Sequence, residues 1–514
     1  MVTLLREPAR PAVIRHHPLA PWFAVAAVCF GAFMGQLDAS VVTVAFPALQ
    51  RQFGAGLAAA QWVSLGYLLV LTALLVPAGR WSDRAGRKLM YLYGFVVFTA
   101  ASAGCGLAPS LAVLIGLRLV QAAGAALLQA NSLALVVTSV PASTRRAALG
   151  VQAAAQAVGL ASGPVTGGLL VAAGGWRWVF FINVPVGLLA VLAGVYLLPR
   201  TRGPAGQPVG GGYRRGRRAA TGGPVGYDSA APGAAGPVGY DSAAPGAADP
   251  GAGQRAGGLG PMALLAVTTT AGMLAVSSLS GLGTPGWTAA VLAAVAAASG
   301  AGLLRHERKA AAPVLGLRAM ASSGAGPALL GALCAYLVLF GPLVLFPQVV
   351  SARGGTAAAA GLLLTALPAG FGLAAVTADR LLPASWPNSR RCLLGGAVAG
   401  CCAATLAAPV PDAVSVVLLG LLGAGLGIYT PANNAEIMAA VSAREAAAAG
   451  GMVNMTRGIG TALGVAAVTL ALHTGGLLDS AGAGRALSMA VLAAAALTGT
   501  WAAARSIRTP GRRR

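Results

Sequence analysis

Two charged residues lie inside long apolar stretches of this sequence, where they could carry a proton or contact a ligand. Asp38, in QLDASVVTVAFPAL (36–49), lies mid-way along the first apolar stretch, and Arg118 lies within IGLRLVQAAGAAL (115–127). An ionisable side chain at such a place costs roughly 2.5–3.5 kcal/mol on membrane-insertion scales, so each is a candidate for function. Burial favours the neutral form of a carboxyl group, so Asp38 could hold a proton and release it to water. The alternative for Asp38 is a structural hydrogen bond.

Arg118 is expected to act on Asp38. A guanidinium stays protonated at working pH, so Arg118 would set the protonation of a nearby carboxylate, for which Asp38 is the candidate. A structural arginine, or one that extends to the membrane surface, is the alternative. Gln121 could line a cavity, although polar contacts between helices would explain it equally well.

Arg457 and Glu436 are further candidates for a coupling or cavity role. Arg457 lies about two turns from the end of its apolar stretch, so it could contact a ligand or extend to the surface. Glu436 lies near the end of its stretch, where a hydrated carboxylate is favoured. The sequence has no H-E-x-x-H, G-x-S-x-G or G-x-x-x-x-G-K-S/T motif, and its six cysteines lack metal-ligand spacing. It therefore predicts no metal, no cofactor and no enzyme activity.

The composition is that of a membrane protein. Only 9% of the 514 residues are charged and 57% are hydrophobic, whereas a soluble chain of this size needs a larger charged surface. A bilayer core requires roughly 20 apolar residues per helix. We therefore predict an all-α fold with fourteen spans, at 22–48, 60–80, 89–108, 110–132, 147–173, 178–199, 261–281, 287–304, 324–350, 358–378, 391–409, 412–439, 449–473 and 485–504.

The net charge of +23 has two explanations, nucleic-acid binding or a membrane topology. With both termini cytoplasmic, 29 of the 35 basic residues fall in inside segments, four fall outside and two lie within spans. This asymmetry is the positive-inside pattern, so we exclude nucleic acid as a partner. We predict a multi-pass protein of the inner (plasma) membrane with both termini cytoplasmic.

The long polar interruption divides the chain. It is rich in Gly, Pro and Ala, and it contains RRGRR and a tandem repeat of GPVGYDSAAPGAA, so it predicts a disordered cytoplasmic linker. The predicted parts are a cytoplasmic tail (1–21), an N-terminal six-helix bundle (22–199), the linker (200–260), two accessory helices (261–310), a C-terminal six-helix bundle (311–505) and a basic tail (506–514).

The loop after the second span reads GRWSDRAGRK (79–88). Its glycines permit tight turns and close helix approach. The G-x-x-x-D-R-x-G-R-K spacing resembles a signature of the major facilitator superfamily, in which the Asp engages a neighbouring helix end and its Arg partners and stabilises the outward-facing state. The resemblance implies a conformational latch formed by Gly79, Asp83, Arg84, Gly86, Arg87 and Lys88.

The fifth predicted span contains GLASGPVTGG (159–168), which places small residues along one helix face and a bend at Pro164. A generic packing face would explain the glycines. The form G-x-x-x-G-P-x-x-G-G is similar to the antiporter motif of the same superfamily, which seals the pore between the bundles and is typical of export. The residues of this motif are Gly159, Gly163, Pro164, Gly167 and Gly168.

WRWVFFINVPVG (176–187) and GMVNMTRGIGTALGVAAV (451–468) resemble the fourteen-span drug:proton antiporters, the QacA- and EmrB-like branch. Asp38 matches the first-helix pattern of the family, and Arg118 matches R-x-x-Q-G-x-G, with Ala122 in place of the usual glycine. The resemblance implies two six-helix bundles plus two extra helices. It covers the chain from about residue 22 to 505.

These features predict a proton-coupled antiporter that exports small amphipathic organic compounds, such as a drug, an antibiotic or a secondary metabolite. The predicted partners are the small-molecule substrate, protons and membrane lipid, and the chain is expected to be monomeric. Since Asp38 is the one carboxylate placed deep in a span, neutral or weakly charged compounds are expected to fit better than dications. A proton-independent facilitator or importer on the same fold is the alternative.

Overall fold

Long helices make up nearly all of the structure, a computed structural model. It describes residue 7 and residues 10–201, 259–279, 285–309, 325–383, 385–440, 446–477 and 482–507. No strand occurs within these residues, in agreement with the predicted all-α class. Nearly all of the predicted linker (200–260) and of the basic tail (506–514) lies outside the described residues.

Fourteen helices of the described chain have 15 residues or more. They are α1 (Ala20–Val44), α2 (Trp62–Ala85), α3 (Arg87–Leu107), α4 (Leu111–Ser139), α5 (Arg145–Gly174), α6 (Asn183–Leu197), α7 (Leu259–Leu279), α8 (Gly286–Lys309), α9 (Gly326–Ala352), α10 (Ala357–Leu381), α11 (Asn388–Leu406), α12 (Asp412–Ala440), α13 (Ala446–Leu477) and α14 (Ala483–Ile507). Each lies where the sequence predicts a span.

Twelve helices among the described residues are long and apolar enough to cross a membrane, so the chain is a multi-pass membrane protein. The other two long helices are α7 and α11. The apolar part of α7 is shorter, at Ala263–Leu279, and α11 begins with the polar sequence Asn-Ser-Arg-Arg. The count of fourteen spans therefore stays a prediction.

The helices α1 to α6 and α9 to α14 pack as two similar halves. In the first half, α1 packs on α5 and α4 packs on both α2 and α3; in the second, α9 packs on α13 and α12 packs on both α10 and α11. The halves meet along α5 against α10 and along α2 against α13. These two contacts exchange equivalent helices, as expected for a fold built from repeats around a shared site.

Glycines allow equivalent helix pairs in the two halves to approach with their backbones in contact. A Cβ added to Gly124 on α4 would lie 2.6 Å from the backbone nitrogen of Phe98 on α3. A Cβ on Gly425 of α12 would lie 2.6 Å from the carbonyl oxygen of Gly395 on α11. Close backbone approach through small residues is a principal source of helix association in a bilayer.

The accessory helices α7 and α8 pack on each other, and α7 contacts both α2 and α13. The side-chain amide of Gln61, just before α2, donates a hydrogen bond of 3.3 Å to the buried hydroxyl of Ser277 on α7. Leu265 on α7 and Leu303 on α8 belong to a small apolar cluster with residues of the second half. The accessory pair therefore contacts both halves.

Candidate functional site: a buried ion pair beside a central cavity

Asp38 on α1 and Arg118 on α4 form an ion pair in the interior of the first half. The Nη1 atom of Arg118 lies 2.6 Å from Oδ2 of Asp38, and the side chains are 1% and 0% exposed, respectively. An ion pair removed from water is stable only when hydrogen bonds satisfy the remaining polar atoms. The structure thus places the two residues that the sequence singled out against each other.

Amide groups complete the hydrogen bonding of the Asp38 carboxylate. Gln121 donates to Oδ1 at 3.1 Å, and Asn183 at the start of α6 donates to the same atom at 2.9 Å. Both carboxylate oxygens therefore have partners, Oδ2 in the ion pair and Oδ1 in the two amide hydrogen bonds.

Three further contacts hold the Arg118 guanidinium in place. Its Nε donates to the carbonyl oxygen of Val63 at 2.9 Å, and its Nη1 also donates to Gln121 Oε1 at 2.8 Å. Its Cζ lies 4.1 Å from the ring centroid of Tyr67, within the range of a cation–π interaction. The alternative, in which the Arg118 side chain extends to the membrane surface, is therefore wrong.

Asn183 is a site residue that the sequence analysis did not select. Its amide also donates to Ser102 Oγ at 3.1 Å, and that hydroxyl donates to the carbonyl oxygen of Phe180 at 2.9 Å. Asn183 lies within the string WRWVFFINVPVG, so the motif contained the signal. The position of one polar residue in an otherwise apolar run indicates a buried partner.

A cavity of about 510 Å³ lies between the two halves. Helices α1, α2, α4 and α5 line it from the first half, and α9, α12 and α13 line it from the second. The polar side chains on its wall are Gln36, Tyr67, Thr72, Gln129, Ser132, Gln152, Gln156, Tyr336, Asn434, Asn454, Arg457 and Thr461. Among the described residues, no group of three or more His, Cys, Asp or Glu side chains could hold a metal ion.

Tyr67 separates the ion pair from this cavity. Its side chain lines the cavity and also lines a small crevice that reaches Arg118 and, in the second half, Phe340 and Thr461. Neither Asp38 nor Gln121 lines the cavity. Tyr67 is therefore the side chain between the ion pair and the cavity, and residues of both halves line the crevice beside it.

Arg457 and Glu436 have different positions. Arg457 on α13 lines the cavity, and its Cζ lies 5.2 Å from the ring centroid of Tyr336. Glu436 does not line the cavity, and its assignment to proton coupling stays a prediction. Asn434 and Met438 on α12 line the cavity, but Glu436 lies on another face of that helix, near Cys392 of α11.

The antiporter motif packs α5 against helices of both halves. A Cβ added to Gly159 would overlap the backbone of Phe33, and one added to Gly163 would overlap the Ser40 hydroxyl on α1. Gly167 likewise approaches the carbonyl oxygen of Val41, at 2.9 Å from the added atom.

The remaining residues of the motif face the second half. A Cβ on Gly168 would lie 2.6 Å from the carbonyl oxygen of Ala357, and Gly361 on α10 packs against the carbonyl oxygen of Pro164. Any side chain at these positions would separate α5 from α10. The motif thus joins α1 to the contact between the halves.

The junction between α2 and α3 contains a local ion pair. Arg87 Nη2 lies 2.6 Å from Asp83 Oδ1, and both side chains are partly exposed. Arg84 is exposed. Gly86, between the helices, has φ +106°, a conformation that requires glycine, and the Glu7 side chain packs against it. The expected close approach at Gly79 is wrong here, because an added Cβ would meet no atom within 4 Å.

Lys88 has a different role from the charged residues before it. Its buried ammonium donates to the carbonyl oxygen of Leu198 at 2.6 Å and to that of Val195 at 2.9 Å, at the end of α6. The C-terminal carbonyl groups of a helix are its negative end, where a cation is stabilising. Lys88 therefore attaches the start of α3 to the end of α6.

Comparison with known proteins places this arrangement in a family. A model of the Major Facilitator Superfamily matches residues 28–231. The methylenomycin A resistance protein of Streptomyces coelicolor is 31% identical over 498 residues, covering 95% of this chain and 93% of that protein. The chain belongs to the major facilitator superfamily. The members of this superfamily are transporters rather than enzymes, and a resistance protein among its relatives agrees with the drug:proton antiporter branch that the motifs indicated.

Two further similarities bear on this major facilitator protein. The riboflavin transporter RibZ of Clostridioides difficile is 36% identical over 179 residues, covering 35% of this chain and 39% of RibZ. Alignments to several curated relatives span only 34% to 39% of those proteins. The crystal structure of a bacterial homolog of the human lysosomal transporter Spinster, inward-facing and unoccupied, matches with a TM-score of 0.60. At 15% identity, over 96% of this chain and 100% of that chain, it shows the fold alone.

Proposed function

We propose that this protein is a proton-coupled antiporter that exports small amphipathic organic compounds. The observation that carries the proposal is the fully buried Asp38–Arg118 pair, separated by Tyr67 from a cavity shared by both halves. A titratable group beside a substrate cavity is the arrangement by which intramembrane carboxylates act as proton relays. The resistance function in the name of the methylenomycin relative supports export.

The packing supports a route from the proton site to the contact between the halves. Protonation of Asp38 removes its charge and weakens its attraction to Arg118. Two and three residues beyond Asp38 on α1, Ser40 and Val41 pack on the glycines of α5, and α5 in turn packs on α10 of the other half. A change in the environment of Asp38 thereby alters the fit of α1 against α5, and the halves rock to alternate access to the cavity.

The orientation in the membrane follows from the predicted topology. With both termini in the cytoplasm, the cavity residues Leu75, Gln152 and Val453 lie toward the cytoplasmic ends of α2, α5 and α13. This conformation therefore takes substrate from the cytoplasmic side of the plasma membrane. One proton entering down a potential of 100 mV, negative inside, supplies about 2.3 kcal/mol, which sustains a substrate gradient of roughly fifty-fold.

A proton-independent facilitator or importer is the second candidate, and the similarity to RibZ favours it. The two functions differ in whether protons cross the membrane against the direction of substrate. They also differ in phenotype, since an importer of riboflavin supports the growth of a riboflavin auxotroph and an exporter of antibiotics does not.

The test begins with a bacterial host that lacks its own efflux pumps and expresses wild type or Asp38→Asn. Minimal inhibitory concentrations are measured for an antibiotic panel that includes methylenomycin A. The compound with the largest protection is then studied in proteoliposomes containing a pH-sensitive dye. We expect wild type to protect and to move protons opposite to the substrate, and Asp38→Asn to do neither.

Asp412→Asn is the matched control, because Asp412 is 69% exposed and pairs with Arg353 at a helix end. It is expected to behave as wild type. Asp38→Glu keeps a titratable carboxyl and tests whether loss of activity reflects chemistry or folding. Protection by Asp38→Asn equal to that of wild type, or substrate movement without proton exchange, would refute the proposal.

A further inference from the structure

The central cavity has a positive charge that the described part of the chain does not neutralise. Arg457 is the one charged side chain among the residues that line it. An unpaired charge in a partly enclosed, low-dielectric space is unfavourable and is expected to attract a counter-ion.

The contacts of Arg457 leave hydrogen-bonding capacity unused. Its Nη1 makes one long hydrogen bond of 3.4 Å to Asn454 Oδ1, and its buried Nε has no partner among the described residues. By contrast, the guanidinium of Arg118 is bound to a carboxylate, a carbonyl group and an amide. The described chain thus provides hydrogen-bond partners for the guanidinium of Arg118, whereas the guanidinium of Arg457 faces the cavity.

The nearby carboxylates of the described chain do not serve as partners for Arg457. Asp38 is occupied by Arg118 and lies behind Tyr67. Glu436 lies outside the cavity wall, on the side of α12 that faces α11. No carboxylate of the described chain therefore lines the cavity beside Arg457.

We propose that the cavity binds amphipathic organic anions, with a carboxylate or similar acidic group of the ligand paired to Arg457. This inference rests on the proposed function and narrows its substrate class from small amphipathic compounds to amphipathic anions, in place of the neutral or weakly charged compounds that the sequence analysis favoured. The planar guanidinium forms two parallel hydrogen bonds with a carboxylate. The rings of Tyr336 and Phe340, with several leucines, supply the apolar wall for the ligand body, and the amides of Gln36 and Gln129 supply further hydrogen bonds.

The experiment uses three pyrene compounds that differ in one terminal group. 1-Pyrenebutyrate is an anion at pH 7.5, 1-pyrenebutanol is neutral, and 1-pyrenebutylamine is a cation. Each is titrated onto the purified full chain in detergent, and binding is followed by energy transfer from tryptophan to pyrene. We expect the anion to bind about ten- to a hundred-fold more tightly than the alcohol, as hydrogen bonds to charged groups allow, and the amine to bind most weakly.

Variants separate the charge of Arg457 from its packing. Arg457→Gln should lose the preference for the anion over the alcohol while still binding the alcohol, and Arg457→Lys should keep most of the preference. The matched control is Arg353→Gln, which changes a half-exposed arginine at a helix end and should leave all three affinities unchanged. Size-exclusion profiles and unfolding midpoints establish that each variant is folded.

Equal affinity for the three compounds, absence of binding by the anion, or an unchanged preference in Arg457→Gln would each overturn the inference. The measurement uses one solution at one pH, without a membrane gradient, so it does not depend on proton coupling. Asp38→Asn should retain the preference for the anion even if it loses transport. Failure of the proposed antiport and failure of anion recognition are thereby distinguishable.

Discussion

The buried pair of Asp38 and Arg118 permits a quantitative prediction about stability. Three variants are compared with wild type: Asp38→Asn, Arg118→Met and the double variant. Each single change leaves a charged group in an interior where both side chains are at most 1% exposed and 2.6 Å apart. Removing one partner of a buried pair costs about 3–5 kcal/mol, whereas replacing both by neutral groups of similar volume is often nearly neutral.

The neighbouring hydrogen-bond partners that remain in each single variant reduce its loss of unfolding free energy. In Arg118→Met, Gln121 and Asn183 still donate to the carboxylate, and in Asp38→Asn the carbonyl group of Val63 still accepts from the guanidinium. We therefore expect each single variant to lose about 3 kcal/mol of unfolding free energy, at the low end of the range for a broken buried pair. The double variant should lose less than either single variant, so the coupling energy is at least about 3 kcal/mol.

The unfolding free energies are measured by SDS titration in mixed micelles, followed by circular dichroism. Arg353 and Asp412 provide a matched control cycle, because their atoms lie 3.3 Å apart and their side chains are 50% and 69% exposed. That exposed pair should show a coupling of at most about 1 kcal/mol. Additive losses at Asp38 and Arg118 would show that the two charges do not stabilise each other and would refute the reasoning.

Two further predictions concern packing around the same site. Gly163→Val should cost about 1–3 kcal/mol of unfolding free energy by overpacking against Ser40, and it should lower transport. Gly150→Val on the same helix should do neither, because an added Cβ there meets nothing within 4 Å. Equal unfolding midpoints and transport rates for the two variants would contradict this prediction. Tyr67→Phe should change the unfolding free energy by less than about 1 kcal/mol, because the buried hydroxyl has no hydrogen-bond partner in the described chain. A larger loss in Tyr67→Phe, measured by the same SDS titration, would reveal a partner for that hydroxyl.

The helices were predictable because length and hydrophobicity alone determine whether a segment can cross a bilayer. Local bends within the helices were less predictable from the sequence. The predicted first span, 22–48, is divided in the structure, since α1 ends at Val44 and a separate short helix, Phe46–Phe53, begins just before Pro47. A proline at the start of a helix is favourable because its missing N–H group needs no partner there. The apolar run continues through that break, so hydrophobicity alone did not reveal it.

The contacts of a site residue were predictable where its residue type determined them. They were not predictable where they depended on the rotation of a helix about its axis. Asp38 and Arg118 are opposite charges deep in apolar spans, so each requires a partner and the other is available. Asn183 and Glu436 depend on which side of a helix faces which neighbour. Adjacent residues on a helix point about 100° apart, so a small error in the rotation of α12 decides between the cavity and α11. The rotation of a helix about its axis depends on the helices packed against it, so the sequence of that helix alone does not determine it.

The position of the accessory helices has a consequence for the lipid environment. Helix α7 touches α2 and α13, which form one of the two seams between the halves, and the Gln61–Ser277 hydrogen bond fastens it there. If the halves rock as proposed, that seam widens or shears, and α7 lies between the gap and the acyl chains of the bilayer. Helices α7 and α8 cover this seam, whereas the α5–α10 seam is packed closely through Gly168 and Gly361. A substrate arriving from within the bilayer would thus meet a pair of extra helices at one seam and directly packed α5 and α10 at the other.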